Sequence, residues 1–354
     1  MKVAILRDNH PESSQKWEIA CKKKGISFLS IDMLRDDWYR KINNFNPDFC
    51  LGRPPGDNQQ NKKVFDDKLY FLENHTSYRV FPGYAETVIY ENKAALANFL
   101  QINNIPHPET FVSYSRQEAT EFISVTKFPQ VAKTLIGAAG SGVKILEAKS
   151  DAIDYIEKAF SKGIKRRFGP NRKTGSPKKW FAKAMQSPAY FFEKIKEYRE
   201  RDKDIQRGVV LFQKYVEHDY EWRCVKIGES FFAYKKLKIG SQASGSKEFE
   251  YGPPPNELLD FTRSLCEKFG FNFMAVDVFY NTQGIFVNEL QTIFGHKSPY
   301  ICKVGEKPGR YIHQNNQWLF EEGDFNTNES YDLRLDAAIK LFHKEKSMRG
   351  PIIL

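Results

Sequence analysis

Phe128-Pro129-Gln130-Val131-Ala132-Lys133-Thr134-Leu135-Ile136-Gly137-Ala138-Ala139-Gly140-Ser141-Gly142-Val143-Lys144-Ile145-Leu146 reads as a strand closing on a lysine, a Gly/Ala/Ser loop and a second strand. A glycine-rich turn between strands lets backbone N–H groups come close to phosphate oxygens, and Lys133 adds a point charge beside it. This is not a Walker loop, because GK[ST] is missing and a strand rather than a helix follows. Taken alone, the same hairpin is also simply a turn.

Upstream, residues 91–102 have helical spacing, with Leu96, Phe99 and Leu100 on one face, and Pro106 and Pro108 prevent continuation. Before that helix, apolar β-like segments at 3–6, 26–31 and 48–51 alternate with helical segments at 14–24 and 33–45. Strands spaced by helices predict a parallel α/β sheet. No GxGxxG follows the first strand, so a dinucleotide fingerprint is absent. The third strand runs into Gly52-Arg53-Pro54-Pro55-Gly56. Ligands in open α/β sheets bind at such carboxyl ends, which makes Arg53 a substrate candidate beside the plainer reading of a solvated loop arginine.

Downstream, helical segments at 151–160 and 187–201 flank a basic insertion at 161–190. From 209 the chain is β-rich, with strands at 209–215, 221–227 and 230–234, the last two joined by Gly228-Glu229. A helix at 255–269, strands at 273–280 and 285–290, and a closing helix at 333–346 complete the pattern. The reading divides the chain into an α/β unit at 1–90, a connecting helix and linker at 91–109, a central unit at 110–212 and a β-rich unit at 213–354.

Two further groups of residues carry chemistry. Asp277 lies in the apolar strand Ala275-Val276-Asp277-Val278-Phe279, with Glu289 and Gln291 following in Asn288-Glu289-Leu290-Gln291. Residues i and i+2 of a strand share a face, so Glu289 and Gln291 can converge with Asp277 on one ion. Two carboxylates and an amide oxygen suit Mg²⁺, which shares phosphate oxygens. Equally, Asp277 can be a buried, hydrogen-bonded strand residue. The second group is Gln213-Lys214-Tyr215-Val216 with Glu221-Trp222-Arg223, where backbone groups could meet an adenine edge and Glu221 and Arg223 share a strand face. An ordinary charged hairpin gives the same pattern.

Charge and composition narrow the classes. The 354 residues include 54 Lys or Arg, 44 Asp or Glu, 29 Phe and 17 Tyr, too aromatic for a disordered polyelectrolyte. No apolar run approaches the roughly 20 residues of a membrane helix. The start of the chain is too soon charged for a signal peptide. Five scattered cysteines without a CxxC pair indicate neither a disulfide framework nor a zinc site, and point to a reducing, cytoplasmic compartment. The net charge of +10 is local: residues 161–190 hold nine cations and no acid, leaving 45 basic against 44 acidic residues elsewhere. A nucleic-acid reading is therefore confined to that insertion, whose Phe168, Trp180 and Phe181 could stack on bases; the plainer reading is a solvated lid loop.

In order and spacing, these residues resemble the ATP-grasp superfamily, most closely its RimK-like and glutathione-synthetase-like carboxylate–amine ligases, from about Tyr90 to Gly295. The resemblance implies an α/β fold with a Rossmann-like pre-ATP-grasp domain, a central lid and a C-terminal β-rich nucleotide domain. It implies that Lys93, in Tyr90-Glu91-Asn92-Lys93, and Lys133 are the nucleotide-binding lysines, and that Gly137, Gly140, Ser141 and Gly142 form the mobile phosphate loop. Gln213, Lys214, Tyr215 and Val216 match the adenine hinge, with Gln213 where the family usually has Glu. Glu221 matches the ribose-binding acid and Arg223 the catalytic arginine. Lys235 and Lys236 match further phosphate-contacting cations, Lys236 in a catalytic role. Asp277, Glu289 and Gln291 match the metal set, Gln replacing the usual Asn. Ser244, Gly245 and Ser246 fall in the substrate loop, with wording similar to members of surface-polysaccharide pathways.

The implied reaction uses ATP with one or two Mg²⁺ ions, Mn²⁺ being a substitute, to turn a carboxylate into an acylphosphate that an amine then captures as an amide. The expected partners are ATP, an amine and an anionic carboxylate acceptor, such as a uronic or sugar acid, with the basic insertion docking that acceptor or an anionic membrane surface carrying it. The competing classes are an ATP-grasp kinase with a non-carboxylate acceptor and a nucleic-acid-binding protein.

Overall fold

The computed structural model describes residues 1–56, 58–137, 142–166, 204–239, 242–243 and 248–349. Gly140, Ser141, Ser244, Gly245 and Ser246 lie outside the described residues, as does the basic insertion beyond Arg166.

The first strands are β1 (Lys2–Arg7), β2 (Ser27–Asp32), β3 (Phe49–Gly52) and β4 (Val80–Phe81), with α1 (Gln15–Lys23), α2 (Trp38–Phe45) and α3 (Gln59–His75) between them. They form a parallel sheet in the order β2-β1-β3-β4. Both faces are covered, as parallel sheets require. Val3 and Ile5 point to one core, while Ala4 and Leu6 point to another that contains Phe65 and Leu69 of α3.

After α4 (Tyr84–Ile89) and α5 (Lys93–Ile102) comes an antiparallel sheet of β5 (Thr110–Ser113), β6 (Gln130–Lys133), β7 (Val143–Leu146) and β10 (Val210–Lys214), ordered β5-β10-β6-β7. Helices α6 (Arg116–Val125) and α7 (Lys149–Ala159) pack on one face through Ala119, Ile123, Tyr155 and Ile156. The other face carries Leu211 against Ala94 of α5. A small two-stranded antiparallel sheet, β8 (Ile164–Lys165) with β9 (Ile205–Gln206), lies beside it.

The largest sheet is built on β11 (Tyr220–Ile227), β12 (Ser230–Ile239), β15 (Phe273–Asn281) and β16 (Gly284–Gln291). Its order is β16-β15-β11-β12-β18-β17, with β17 (Lys303–Val304) and β18 (Lys307–Gln314) on the far side. Strands β13 (Gln242–Ala243) and β14 (Phe249–Glu250) pair with β12, and β19 (Gln317–Glu322) pairs with β18. Helix α8 (Asn256–Phe269) covers one face with α5, through Leu258, Leu265, Leu96 and Leu100. The other face shares a continuous core with the parallel sheet and α9 (Tyr331–Arg349), joining Trp17, Phe49, Phe231, Phe273 and Leu335.

Differences from the sequence reading have local causes. The segment expected to be helical from residue 33 starts its helix only at Trp38, after a turn held by Leu34 N–H on the Asp32 carboxylate. Helix α3 and the β18–β19 hairpin carry no strong period in the sequence. The hairpin turns through Asn315 and Asn316, whose φ of 50° and 60° give the left-handed pair of a tight turn.

Arg166 departs from the reading of a freely cationic insertion. It is buried, and its guanidinium is ion-paired with Asp204, whose carboxylate also accepts from Gln59 N–H at the start of α3. This contact pins the β8–β9 pair to the first unit.

Candidate active site

Four strands place six polar side chains on one face of the large sheet. In register, Glu221 stands opposite Lys236, Arg223 opposite Asp277, and Asp277 opposite Glu289, with Gln291 two residues further on. Directly opposite residues share a face, so the sheet itself assembles the cluster.

Asp277 is its centre and is fully buried. Its Oδ1 accepts from Arg223 Nε at 2.7 Å, and its Oδ2 accepts from Arg223 Nη2 at 2.7 Å and Lys236 Nζ at 2.8 Å. Lys236 also donates to Glu221 Oε2 at 2.8 Å, and Arg223 Nη2 donates to Gln291 Oε1 at 2.9 Å. Burial works to raise the Asp277 pKa, but Arg223 and then Lys236 outweigh it and hold the carboxylate far below its ordinary range. Burial disfavours the charged Lys236, yet Asp277 and Glu221 raise its pKa above normal.

The second sheet and helix α5 deliver the other cations. Lys133, last in β6, donates to Asn288 Oδ1 at 3.1 Å, and Asn288 Nδ2 in turn donates to Glu221 Oε1 at 3.2 Å. Asn288 is the extra residue where the β15–β16 register shifts, and a bulge of this kind re-aims a side chain. Burial pushes the Lys133 ammonium down to about 8. Lys93, first in α5, donates at 2.8 Å to the C=O of Gly137, the first residue of the glycine loop that follows Lys133. The loop closes through Thr134 N–H on Gly142 C=O at 3.0 Å. Any Cβ at Gly142 would lie 1.8 Å from Thr134 Oγ1, so only glycine fits there.

Other sequence candidates take different places. Lys235 points to the opposite side of β12 from Lys236, where it pairs with Glu250 at 2.6 Å and lies over the Tyr220 ring; it does not join the cluster. Gln213 is buried and donates to Thr110 Oγ1 at 3.0 Å. Lys214 is exposed at the end of β10. The Tyr215 hydroxyl accepts from Lys238 at 3.1 Å, and the Val216 carbonyl accepts from His218 Nδ1 at 2.7 Å, since a carbonyl can only accept. Residues 215–219 thus form the strap between the second sheet and the large sheet. Arg53 lies just past β3, apart from this cluster, beside Tyr90.

The expected metal set converges but is not free. Asp277 and Gln291 direct their oxygens at Arg223 and Lys236, so a resident divalent cation there would face two fixed positive charges. Among the described residues, no group of three His, Cys, Asp or Glu side chains gathers as a metal site would. The set does not fit a resident metal bound through Asp277.

Glu91 is the functional candidate that the sequence reading passed over, although it stands in the quoted Tyr90-Glu91-Asn92-Lys93. Its carboxylate is buried, with Oε2 3.6 Å from Lys93 Nζ and no hydrogen-bond partner. Its backbone is left-handed, with φ of 50°, costly for a non-glycine residue outside a functional or tightly held position. Burial pushes its pKa up to about 7; Lys93 opposes this and Glu289 adds to it.

No family model matches the chain, and no curated protein matches it. Solved structures do. A RimK-domain ATP-grasp protein of Sphaerobacter thermophilus aligns at 16% identity over 82% of this chain and 90% of its own, with a TM-score of 0.52. The D-alanine–D-alanine ligase of Bacillus anthracis aligns at 14% identity over 99% of this chain and 100% of its own, TM-score 0.53. The carboxyaminoimidazole ribonucleotide synthase of Aspergillus clavatus, complexed with ATP, aligns at 11% identity over 96% and 76%, TM-score 0.54. At these identities the likeness speaks for architecture, and the chain has the ATP-grasp fold.

Proposed function

We propose that the protein is an ATP-dependent ligase that joins a carboxylate to an amine. The observation that carries this reading is Lys93 on the first residue of the glycine loop and Lys133, just before that loop, reaching through Asn288 to the Glu221–Lys236–Asp277–Arg223 network. Two structures of similar fold are described as complexed with ATP, one a D-alanine–D-alanine ligase and one a carboxyaminoimidazole ribonucleotide synthase.

In this reading Lys93 and Lys133 hold the phosphates, and the 215–219 strap lies along the base. A substrate carboxylate oxygen takes the γ-phosphoryl group, releasing ADP. The amine then attacks the acylphosphate carbon, phosphate leaves and the amine gives up a proton. Arg223, already held in place by Asp277, faces the oxyanion of the tetrahedral intermediate, where a preorganised donor acts without reorganisation. Magnesium enters as part of the MgATP substrate, with Glu289 the carboxylate left to meet it. The basic stretch at 161–190 suits a polyanionic acceptor, a uronic-acid or sugar-acid chain in particular.

ADP release measured over a matrix of carboxylates and amines, with mass spectrometry of products, tests the reading. ADP and amide in equal amounts, only when both partners are present, is the expected result. ADP formed with a single hydroxyl acceptor would replace it with a kinase.

A further inference from the structure

Four backbone groups hold the segment between Lys133 and the glycine loop. Thr134 N–H donates to the Gly142 carbonyl at 3.0 Å, and the Leu135 carbonyl accepts from Lys93 N–H at 2.8 Å. The Ile136 carbonyl accepts from Thr134 Oγ1 at 3.1 Å. The fourth group, Leu135 N–H, donates at 2.6 Å to Oε1 of Gln206 on β9. The segment itself, the loop and α5 supply the first three partners, whereas Gln206 stands 71 residues further along the chain. Leu135 and Ile136 are buried in a cluster with Ala94 of α5, Val209 and Leu211. A buried backbone donor there requires a partner, and Gln206 is the one it has.

Gln206 meets that requirement with both ends of its amide. It is buried, and while Oε1 takes Leu135 N–H, Nε2 donates to the Val209 carbonyl at 3.3 Å. Only an amide side chain offers this acceptor and donor together at one tip. The strand that carries it is fixed as well. Two residues earlier, Asp204 is ion-paired with Arg166 and accepts from Gln59 N–H at 3.2 Å. Gly163, with φ of 85°, lies so close to β9 that a Cβ would sit 2.4 Å from Ile205 Cγ2 and 2.6 Å from Arg207 Cγ.

We propose that Gln206 is a positioning residue for the nucleotide: it sets the backbone from which Lys133 and the glycine loop reach the phosphates, an inference that rests on the ATP reading. Lys133 lies two residues before Leu135, and its Nζ extends across to Asn288 of the large sheet at 3.1 Å. Lys93 is tied to the same residue through the Leu135 carbonyl. Leu135 thus carries both nucleotide lysines, one through the chain and one through a hydrogen bond. Losing the Gln206 contact shifts the two together, and a misplacement of about 1 Å at a reacting site can cost roughly 10²-fold in rate. Through β9 and Asp204, the loop is also tied to the start of α3 in the first unit.

Gln206→Met keeps the length and bulk of the side chain and removes both hydrogen bonds, whereas Gln206→Glu keeps an acceptor for Leu135 N–H. Amide hydrogen exchange of the unliganded full chain is measured on both variants. Affinity for the ATP analogue AMP-PNP is measured by calorimetry on the wild type and Gln206→Met, with urea unfolding alongside. The Leu135 amide should exchange at least roughly tenfold faster in Gln206→Met and keep most of its protection in Gln206→Glu, and Gln206→Met should bind AMP-PNP roughly tenfold more weakly. Unaltered Leu135 exchange in Gln206→Met, or equal loss of protection in Gln206→Glu, overturns the contact as described. Unaltered AMP-PNP affinity overturns the positioning role even where urea reports lost stability, because a purely structural contact would move only the latter. If Gln206→Met fails to fold, Gln206→Asn, which withdraws the amide by one methylene, is held to the same two outcomes. AMP-PNP that does not bind the wild type overturns the ATP reading and this role with it, whereas equal binding by wild type and variant overturns this role alone.

Discussion

Arg223 on β11 and Asp277 on β15 stand opposite one another in register, and two hydrogen bonds of 2.7 Å lock the guanidinium to the carboxylate. The pair is buried, and Lys236 completes it from the other neighbouring strand. Its geometry aims the arginine and also makes it part of the sheet's core. Because the folded pKa of Asp277 is depressed, its contribution to stability is present above the unfolded value near 3.8 and is lost as pH falls below that. At neutral pH the clasp is constant.

Asp277→Asn should therefore be a stability variant before it is an activity variant. It leaves Arg223 and Lys236 buried against a neutral amide, and breaking a buried pair from one side costs about 3–5 kcal/mol. Arg223→Lys keeps a charge near Asp277 but loses the fork, so kcat should fall by ~10²–10³ with a smaller loss of stability. Urea unfolding beside steady-state kinetics separates the two. A stable, inactive Asp277→Asn would mean that the carboxylate is not the structural counter-charge of this network.

Lys133 gives a pH signature. Burial holds its pKa at about 8 in the unliganded protein. A triphosphate beside it would favour the charged form, so binding above pH 8 takes up a proton and affinity weakens as pH rises through that value. Calorimetry in buffers of different ionisation heat should show proton uptake at pH 8.5 that disappears at pH 6.5 and in Lys133→Met. Equal heats across buffers at pH 8.5 would remove Lys133 from the nucleotide.

What was legible in the sequence follows from physics that acts locally. The alternating strands and helices of the first unit, the Lys133 loop and the site-face residues Asp277, Glu289 and Gln291 are visible because period and turn chemistry are short-range. Partner choice is not short-range. That Asp277 would spend its oxygens on Arg223 and Lys236 depends on a strand order, β15-β11-β12, that joins residues 41 and 54 positions apart. Lys235 and Lys236 look alike in a sequence, and only the pleat separates them. Asn288 reaches Lys133 because of a bulge, and bulges leave no period to read. Arg334 sits in a closing helix whose sequence gives no sign that it is buried.

Glu86 ties the first unit to the large sheet. Its Oε1 accepts from Asn272 N–H and Phe273 N–H, both at 2.7 Å, and its Oε2 accepts from Gly83 N–H at 3.1 Å. Glu86→Ala strands three backbone donors, and each unsatisfied buried group costs about 1–3 kcal/mol. A loss of several kcal/mol in urea unfolding is expected, with Glu86→Gln milder because one oxygen remains. A loss below about 1 kcal/mol in Glu86→Ala would mean that water replaces the carboxylate, and the joint would not be the anchor described.

Glu91 should show the opposite balance, stability gained where function is lost. It faces Lys93 at 3.6 Å, feels Glu289 and Arg223, and lies near enough to act on Tyr90 and Lys62. With Oε2 unpartnered, burial outweighs Lys93 and lifts its pKa to about 7. A raised folded pKa means that the unfolded chain gives up this proton first, so stability drains away as pH climbs from the ordinary glutamate value to about 7 and then levels. Glu91→Gln keeps the shape without the proton to lose. Its melting temperature, compared with wild type, should be similar at pH 4.5 and clearly higher at pH 8, while ligase turnover falls. Residues held in costly states at a site commonly show this trade. If the difference between variant and wild type is flat from pH 4.5 to 8, Glu91 carries no buried charge; if turnover also survives, its left-handed backbone and buried carboxylate serve packing alone.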